Sequence, residues 1–153
     1  MLPIFKCAGA LYTVLVKQPR IATGDYELAE LPAGMIDGGT FAGAAARELK
    51  EELGVTFTDN ELVDMASSLP GSKGEEIYFS PGLLDEKARF YMVEREVSPD
   101  ELGKFQGKAT GLLAEGERIT LWVVPLDAVP ACVRDGKTFI ALYLYNNWKR
   151  RNG

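Results

Sequence analysis

The sequence contains no histidine. That absence removes Ser-His-Asp and Cys-His triads, zinc sites built on imidazole, and histidine acid–base catalysis. Any chemistry must run on carboxylates, lysine, tyrosine, cysteine or a metal ion. Cysteine is nearly absent too. Cys7 and Cys132 stand far apart, without metal-site spacing, and read as reduced, buried thiols of a cytoplasmic protein. No run approaches the ~18 apolar residues of a membrane span. The opening Met1-Leu2-Pro3-Ile4-Phe5-Lys6 lacks the long apolar region and cleavage site of a signal peptide. A cytoplasmic location is expected, and a transit peptide on a longer precursor stays compatible with it. There is no basic block over the body of the chain, and the net charge is −5. Both argue against nucleic-acid binding. Neither argues against a phosphate substrate, because bound metal ions reverse the local charge.

What is present suits one domain. A chain of 153 residues buries about two-thirds of its unfolded surface. Its 46% hydrophobic and 25% charged content is that of an ordinary globular protein. No internal repeat or low-complexity segment divides it. The organising stretch runs from Leu31 to Val55: a glycine-rich loop, then a helix expected from about Phe41 to Leu53 and stopped by Gly54. At helical spacing Ala42, Ala46, Leu49 and Leu53 form one stripe, which should face the core. Glu48, Glu51 and Glu52 share another face, flanked by Arg47. Like charges at that spacing repel by about 0.2–0.5 kcal/mol per pair, and a hard divalent cation removes the repulsion. Mg²⁺ above all takes oxygen ligands and brings phosphate into its shell. Gly34, Gly38 and Gly39 allow the preceding loop to bend close to such an ion and offer a backbone carbonyl. Taken alone, Arg-Glu-Leu-Lys-Glu-Glu is equally well a solvated helix face. The Pro-Ala-Gly loop before it and Gly-Val after it favour the metal.

Arg47-Glu48-Leu49-Lys50-Glu51-Glu52-Leu53-Gly54-Val55 resembles the second half of the Nudix box. Glu30-Leu31-Pro32-Ala33-Gly34-Met35-Ile36-Asp37 resembles the ADP-sugar pyrophosphatase branch of that superfamily. The likeness departs at one place. Gly34 to Arg47 is thirteen steps where the box has fourteen, and Gly39 or Thr40 stands where the box has a glutamate. In the family that glutamate usually anchors the loop rather than the metal, so its loss bears on loop geometry more than on chemistry. Thr40 can still cap the helix.

The rest of the chain reads as follows. Ile4 to Lys17 is strand-like, with a small turn at Ala8-Gly9-Ala10, and Tyr26 to Leu31 partly alternates. Val55 to Asn60 reads as a turn, Glu61 to Leu69 as a strand and Pro70 to Gly74 as a surface loop. A short strand is expected around Ile77-Tyr78-Phe79, and a longer one over Lys87 to Val93. Ser98 should cap a short helix with Pro99 in its first turn. Gln106 to Glu117 is polar and glycine-rich, and leads into an apolar strand over Ile119 to Val124. Leu126 to Pro130 is a short helical piece. Phe139 to Arg151 is an amphipathic helix packing through Leu142, Leu144 and Tyr145. Its Lys149-Arg150-Arg151 end suits the negative end of the helix dipole.

The resemblance covers roughly Tyr12 to Trp148 and implies an α/β fold. This is the Nudix α/β/α sandwich, a mixed β-sheet between the box helix and a C-terminal helix. It implies an Mg²⁺-dependent hydrolase, with Mn²⁺ as a substitute ion, that cuts ADP-ribose or ADP-glucose to AMP and a sugar phosphate. The metal ligands would be Glu48, Glu51, Glu52 and the Ala33 carbonyl. Glu117, in Glu-Gly-Glu just before the last strand, matches the catalytic glutamate of ADP-ribose pyrophosphatases. Arg20 would contact the diphosphate, and Arg47 would fix the glutamates. Gly34 and Met35 of the box loop and Ser80 of the Ser-Pro-Gly turn would lie against substrate. Gly107-Lys108-Ala109-Thr110-Gly111 resembles the Gly-Lys-x-Thr-Gly loop of plant-type ADP-sugar pyrophosphatases. The partner is then a small nucleotide sugar, with no nucleic acid and no membrane. Relatives carry further N-terminal strands that form a homodimer and an adenine pocket, whereas this chain begins almost at the first sheet strand. Two alternatives remain. One is hydrolysis of dinucleoside polyphosphates, NADH or a nucleoside triphosphate. The other is a phosphate-binding module without catalysis.

Overall fold

A computed structural model describes residues 1–34, 41–69, 76–111 and 118–153. The chain opens with a hairpin. β1 (Leu2–Cys7) and β2 (Ala10–Arg20) pair antiparallel around Ala8 and Gly9. Both turn residues have positive φ, 48° and 82°, as a two-residue turn that matches strand twist requires. β2 is the spine of the sheet. Its start pairs with β1, its middle with β9 (Ile119–Pro125), and its far end with β3 (Asp25–Glu30). The β2–β3 register slips between Gln18 and Arg20, where Pro19 has no N–H to give the ladder.

β4 (Val63–Asp64) and β7 (Tyr91–Glu96) extend the sheet beyond β1, and β8 (Ala109–Thr110) extends it beyond β9. The β1–β7 pair is parallel and the others are antiparallel. Among the described residues the sheet therefore has seven strands and is mixed. β5 (Ile77–Tyr78) and β6 (Lys87–Ala88) form a separate hairpin.

Alternation along the strands sends side chains to two faces. Ile4, Leu15, Met92 and Val124 meet Ala141, Leu142, Leu144 and Tyr145 of α4 (Gly136–Asn152). Phe5, Val14, Val16, Val93 and Leu121 meet Leu49 and Leu53. Leu49 and Leu53 belong to the helix that begins as α1 (Phe41–Glu48). The sheet is thus clothed on both sides by helix, as the sandwich requires. The short α2 (Pro99–Gly103) and α3 (Val129–Cys132) link strands on the way round. Among the described residues no helix is long and apolar enough to cross a membrane.

Several expectations need correction. The strand over Glu61 to Leu69 shrinks to Val63–Asp64 and is followed by a 3₁₀ turn, Ala66–Ser68. Asp64 causes the break: its Oδ1 accepts from the N–H groups of Ala66 and Ser67, which folds the chain back. The strand over Lys87 to Val93 is two strands, β6 and β7, belonging to different sheets. α4 starts at Gly136, earlier than Phe139, because Asp135 caps it by accepting from Lys137 and Thr138 N–H. Within the Gly107–Gly111 loop, Ala109 and Thr110 pair with β9. The buried residues of α1 are Ala44 and Ala45, while Ala42 and Ala46 are half-buried. The Ser98 cap is as expected, closing a reciprocal capping box with Glu101.

Candidate active site

Arg20 ends β2 and Glu30 ends β3, so the β2–β3 hairpin brings an arginine and a glutamate together. Arg20 Nε donates to Glu30 Oε1 at 2.6 Å. The Glu30 side chain is 2% exposed and that of Arg20 is 42% exposed. The pair therefore spans the boundary between core and solvent. Arg20 is held even more basic than usual. Its hydrogen bond to Glu30 is the main cause, followed by the negative charges of Glu30, Glu52 and Asp135, against partial burial. Arg20 thus contacts β3 through Glu30 and also feels the negative charge of Glu52 and of Asp135.

That helix changes character where it reaches the site. α1 ends at Glu48 and continues as a π turn over Leu49–Leu53. A π turn widens the helix by one residue and is frequent at functional sites. Leu49 and Leu53 stay buried in the core. Glu52 is buried, at 3% exposure, whereas Glu51 is exposed. Gly54 ends the run with φ 74° and donates to the Lys50 carbonyl at 3.0 Å. Glycine suits this place twice over. The backbone is left-handed there, and a Cβ would come within 3.0 Å of Lys108 Nζ. Lys108 belongs to the Gly-Lys-x-Thr-Gly loop, so that loop lies against the end of the box helix.

Ala33 and Gly34 are exposed and follow the buried Leu31 and Pro32. Two contacts hold the base of this segment. Leu31 N–H donates to Thr138 Oγ1 at 3.2 Å, and the Met1 nitrogen donates to the Pro32 carbonyl at 2.7 Å. Arg47 is exposed on α1. Ser80 sits at the start of the β5–β6 turn, where its carbonyl accepts from Leu83 and Leu84 N–H at 2.9 and 2.8 Å. The hairpin leans on the start of α4, with Lys137 Nζ 5.7 Å from the Phe79 ring centroid. Met35, Thr40, Glu117 and the Glu48 side chain lie outside the described residues. The charge of Glu52 reaches Arg20, and Ala33 lies one residue beyond the anchored Leu31-Pro32 base.

Three residues of this site escaped the sequence reading: Glu30, Asp135 and Thr138. Asp135, just ahead of an apolar helical pattern, carried an N-cap signal that could have found it. Among the described residues no three His, Cys, Asp or Glu side chains form a metal-holding group. Two of the expected carboxylates, those of Glu48 and Glu117, lie outside the described residues. The donors that are described, the Glu51 and Glu52 carboxylates and the Ala33 carbonyl, are all oxygens. That set fits a hard divalent cation and not a thiophilic one.

A mixed sheet clothed on both faces by helix, with a buried glutamate on the widened turn of one of them, defines an α/β sandwich. The chain belongs to the Nudix family: the NUDIX domain model matches residues 2–142. It is 35% identical over 152 residues to Nudix hydrolase 14, chloroplastic, of Arabidopsis thaliana, a match covering 98% of this chain and 49% of that protein. The chain thus spans about half the length of that relative. Among solved structures it is similar to an ADP compounds hydrolase, with a TM-score of 0.66 and 18% identity, covering 99% of this chain and 74% of that one. It is also similar to the Ap4A hydrolase of C. elegans, with a TM-score of 0.55 and 15% identity, covering 99% and 94%. At those identities the two structures bear on the fold alone.

Proposed function

We propose that this domain is a magnesium-dependent hydrolase that cuts the diphosphate bridge of an ADP-sugar, ADP-ribose or ADP-glucose, to AMP and a sugar phosphate. The observation that supports the reading is a buried Glu52, on the widened end of the box helix, whose charge reaches the partly exposed Arg20. An oxygen-donor cluster next to a guanidinium is what a diphosphate needs, since one side holds its counter-ions and the other its oxygens. The choice of an ADP-sugar rests on the Pro-Ala-Gly-Met and Gly-Lys-x-Thr-Gly loops of the sequence.

Glu48, Glu51, Glu52 and the Ala33 carbonyl would hold Mg²⁺, or Mn²⁺ in its place. When bound, the ion polarises the diphosphate and makes a coordinated water more acidic. Arg20, kept in place and fully charged by Glu30, binds diphosphate oxygens. Arg47 steadies the glutamates of its own helix. Glu117 accepts the proton of the attacking water as its oxygen bonds to phosphorus and the bridging P–O bond breaks. Met35, Gly34 and Ser80 line the substrate.

A panel of ADP-ribose, ADP-glucose, NADH, diadenosine polyphosphates and nucleoside triphosphates, with Mg²⁺ and product identification, tests this. AMP and a sugar phosphate in equal amounts are expected from the ADP-sugars, with the highest kcat/KM. Preferred cleavage of a dinucleoside polyphosphate would overturn the substrate class. Cleavage of nothing would overturn catalysis and leave a binding module. Glu117→Gln should keep the fold and lose about 10²–10⁴-fold in kcat, the usual worth of a general base.

A further inference from the structure

We propose that Thr138, backed by Asp135, is a positioning residue that sets the Ala33 carbonyl. This inference rests on the reading of Ala33 as a metal ligand. The Thr138 hydroxyl does two things at once. Its oxygen accepts from Leu31 N–H at 3.2 Å, and its proton goes to Asp135 Oδ2 at 2.8 Å. Thr138 is fully buried, and the bond to Leu31 spans 107 residues of sequence. The same Asp135 oxygen accepts from Thr138 N–H at 2.9 Å, so the aspartate fixes both the helix start and the rotamer of the hydroxyl.

The place of the bond matters. β3 ends at Glu30, so Leu31 N–H lies just past the strand, and Pro32 has no N–H to give. Leu31 N–H is therefore the last backbone donor before Ala33. Thr138 anchors it to the first turn of α4, the longest helix of the domain. The charge of Asp135 also reaches Arg20. One aspartate thus ties the carbonyl-bearing segment, through Thr138, to the first turn of α4. Only a group that both donates and accepts can fill position 138. Valine has the shape and neither function, whereas serine has both functions and lacks one methyl.

Thr138→Val, Thr138→Ser and the unaltered domain are compared by three measurements on the full chain. Calorimetry measures Mg²⁺ binding in the absence of substrate. Hydrogen exchange follows the Leu31 amide. Kinetics at varied Mg²⁺ separate KM, kcat and the Mg²⁺ activation constant. In Thr138→Val the Leu31 amide should exchange faster. Mg²⁺ binding and the activation constant should weaken about 10–100-fold, the usual cost of losing a group that orients a metal ligand. At saturating Mg²⁺, kcat should change little, and Thr138→Ser should restore all three readouts. Faster Leu31 exchange and a lower Tm with unchanged Mg²⁺ binding would reduce Thr138 to a structural residue and overturn the proposal. Failure of the unaltered domain to bind Mg²⁺ would instead overturn the functional reading, and with it the role given to Thr138.

Discussion

The two helices that clothe the sheet are built on opposite plans. α4 is seventeen residues long, opens on an aspartate cap and ends on three cationic residues. Local rules suffice to specify it. The box helix is short, rich in alanine after Phe41, and gives up α geometry at Leu49. It is held by tertiary packing, through Leu49 and Leu53 against the sheet, and by Gly54 at its end. The regular helix supplies an anchor, Asp135 and Thr138, whereas the irregular one carries the glutamates proposed to hold the metal. Within the π turn Glu52 is buried while Glu51 stays in solvent. A site of this kind sits where the backbone departs from the local optimum and neighbouring structure holds it there.

The sharpest way to break that contrast is to remove one packing residue from each helix. Leu53→Ala and Leu144→Ala both empty fully buried positions and should each cost about 2–5 kcal/mol in chemical denaturation. Activity should separate them. With the fold kept at low temperature, Leu53→Ala should also depress kcat, because the π turn loses its seat, and Leu144→Ala should leave it near normal. Equal effects on kcat would remove the distinction between the two helices.

A smaller effect is expected at Gly54. Gly54→Ala places a Cβ in left-handed backbone, 3.0 Å from Lys108 Nζ, and should cost about 1–2 kcal/mol. The variant read by thermal denaturation should show this loss, and Lys108→Ala in the same background should relieve only the part due to crowding.

The smallest effect concerns the loop after the box helix. Glu61 is held down to about 2, first by the Thr58 N–H, then by Arg95 and the Thr58 hydroxyl. A carboxylate lowered in the folded state stabilises it above its ordinary pKa. That contribution therefore fades as pH falls from about 4.5 towards about 2. Glu61 is exposed, so the contribution is small and screened by salt. An NMR titration should place its midpoint near 2, and Arg95→Met should raise it.

Much of this was legible in the residues. Gly54 marked the end of the helix, the Ala8-Gly9 turn marked the first hairpin, and Ser98 marked a cap. The strands of β2 and β9 were plain from their branched and aromatic runs. Part of what stayed hidden depends on partners distant in sequence, and part on local geometry that periodicity does not report. The π turn has no signature in a 3.6-residue periodicity, so the choice among alanines on α1 went to the wrong pair. Glu30 looked like the polar step of an alternating strand, and only Arg20, ten residues away, explains its burial. Asp135-Gly136-Lys137-Thr138 has the composition of a turn, and its glycine masked a helix start. Lys87 to Val93 alternates well enough for one strand, but its two ends pair with different sheets.

The most direct test incubates the domain and its Glu52→Gln variant with ADP-ribose and Mg²⁺ and identifies the phosphorus products. The expected result is AMP and ribose phosphate in equal amounts from the unaltered domain, with the variant, still folded, slower by about a hundredfold or more, since removing a proposed metal ligand should exceed the roughly 10–100-fold cost of removing its outer support. Equal turnover by the two proteins would contradict the assignment of the site to Glu52.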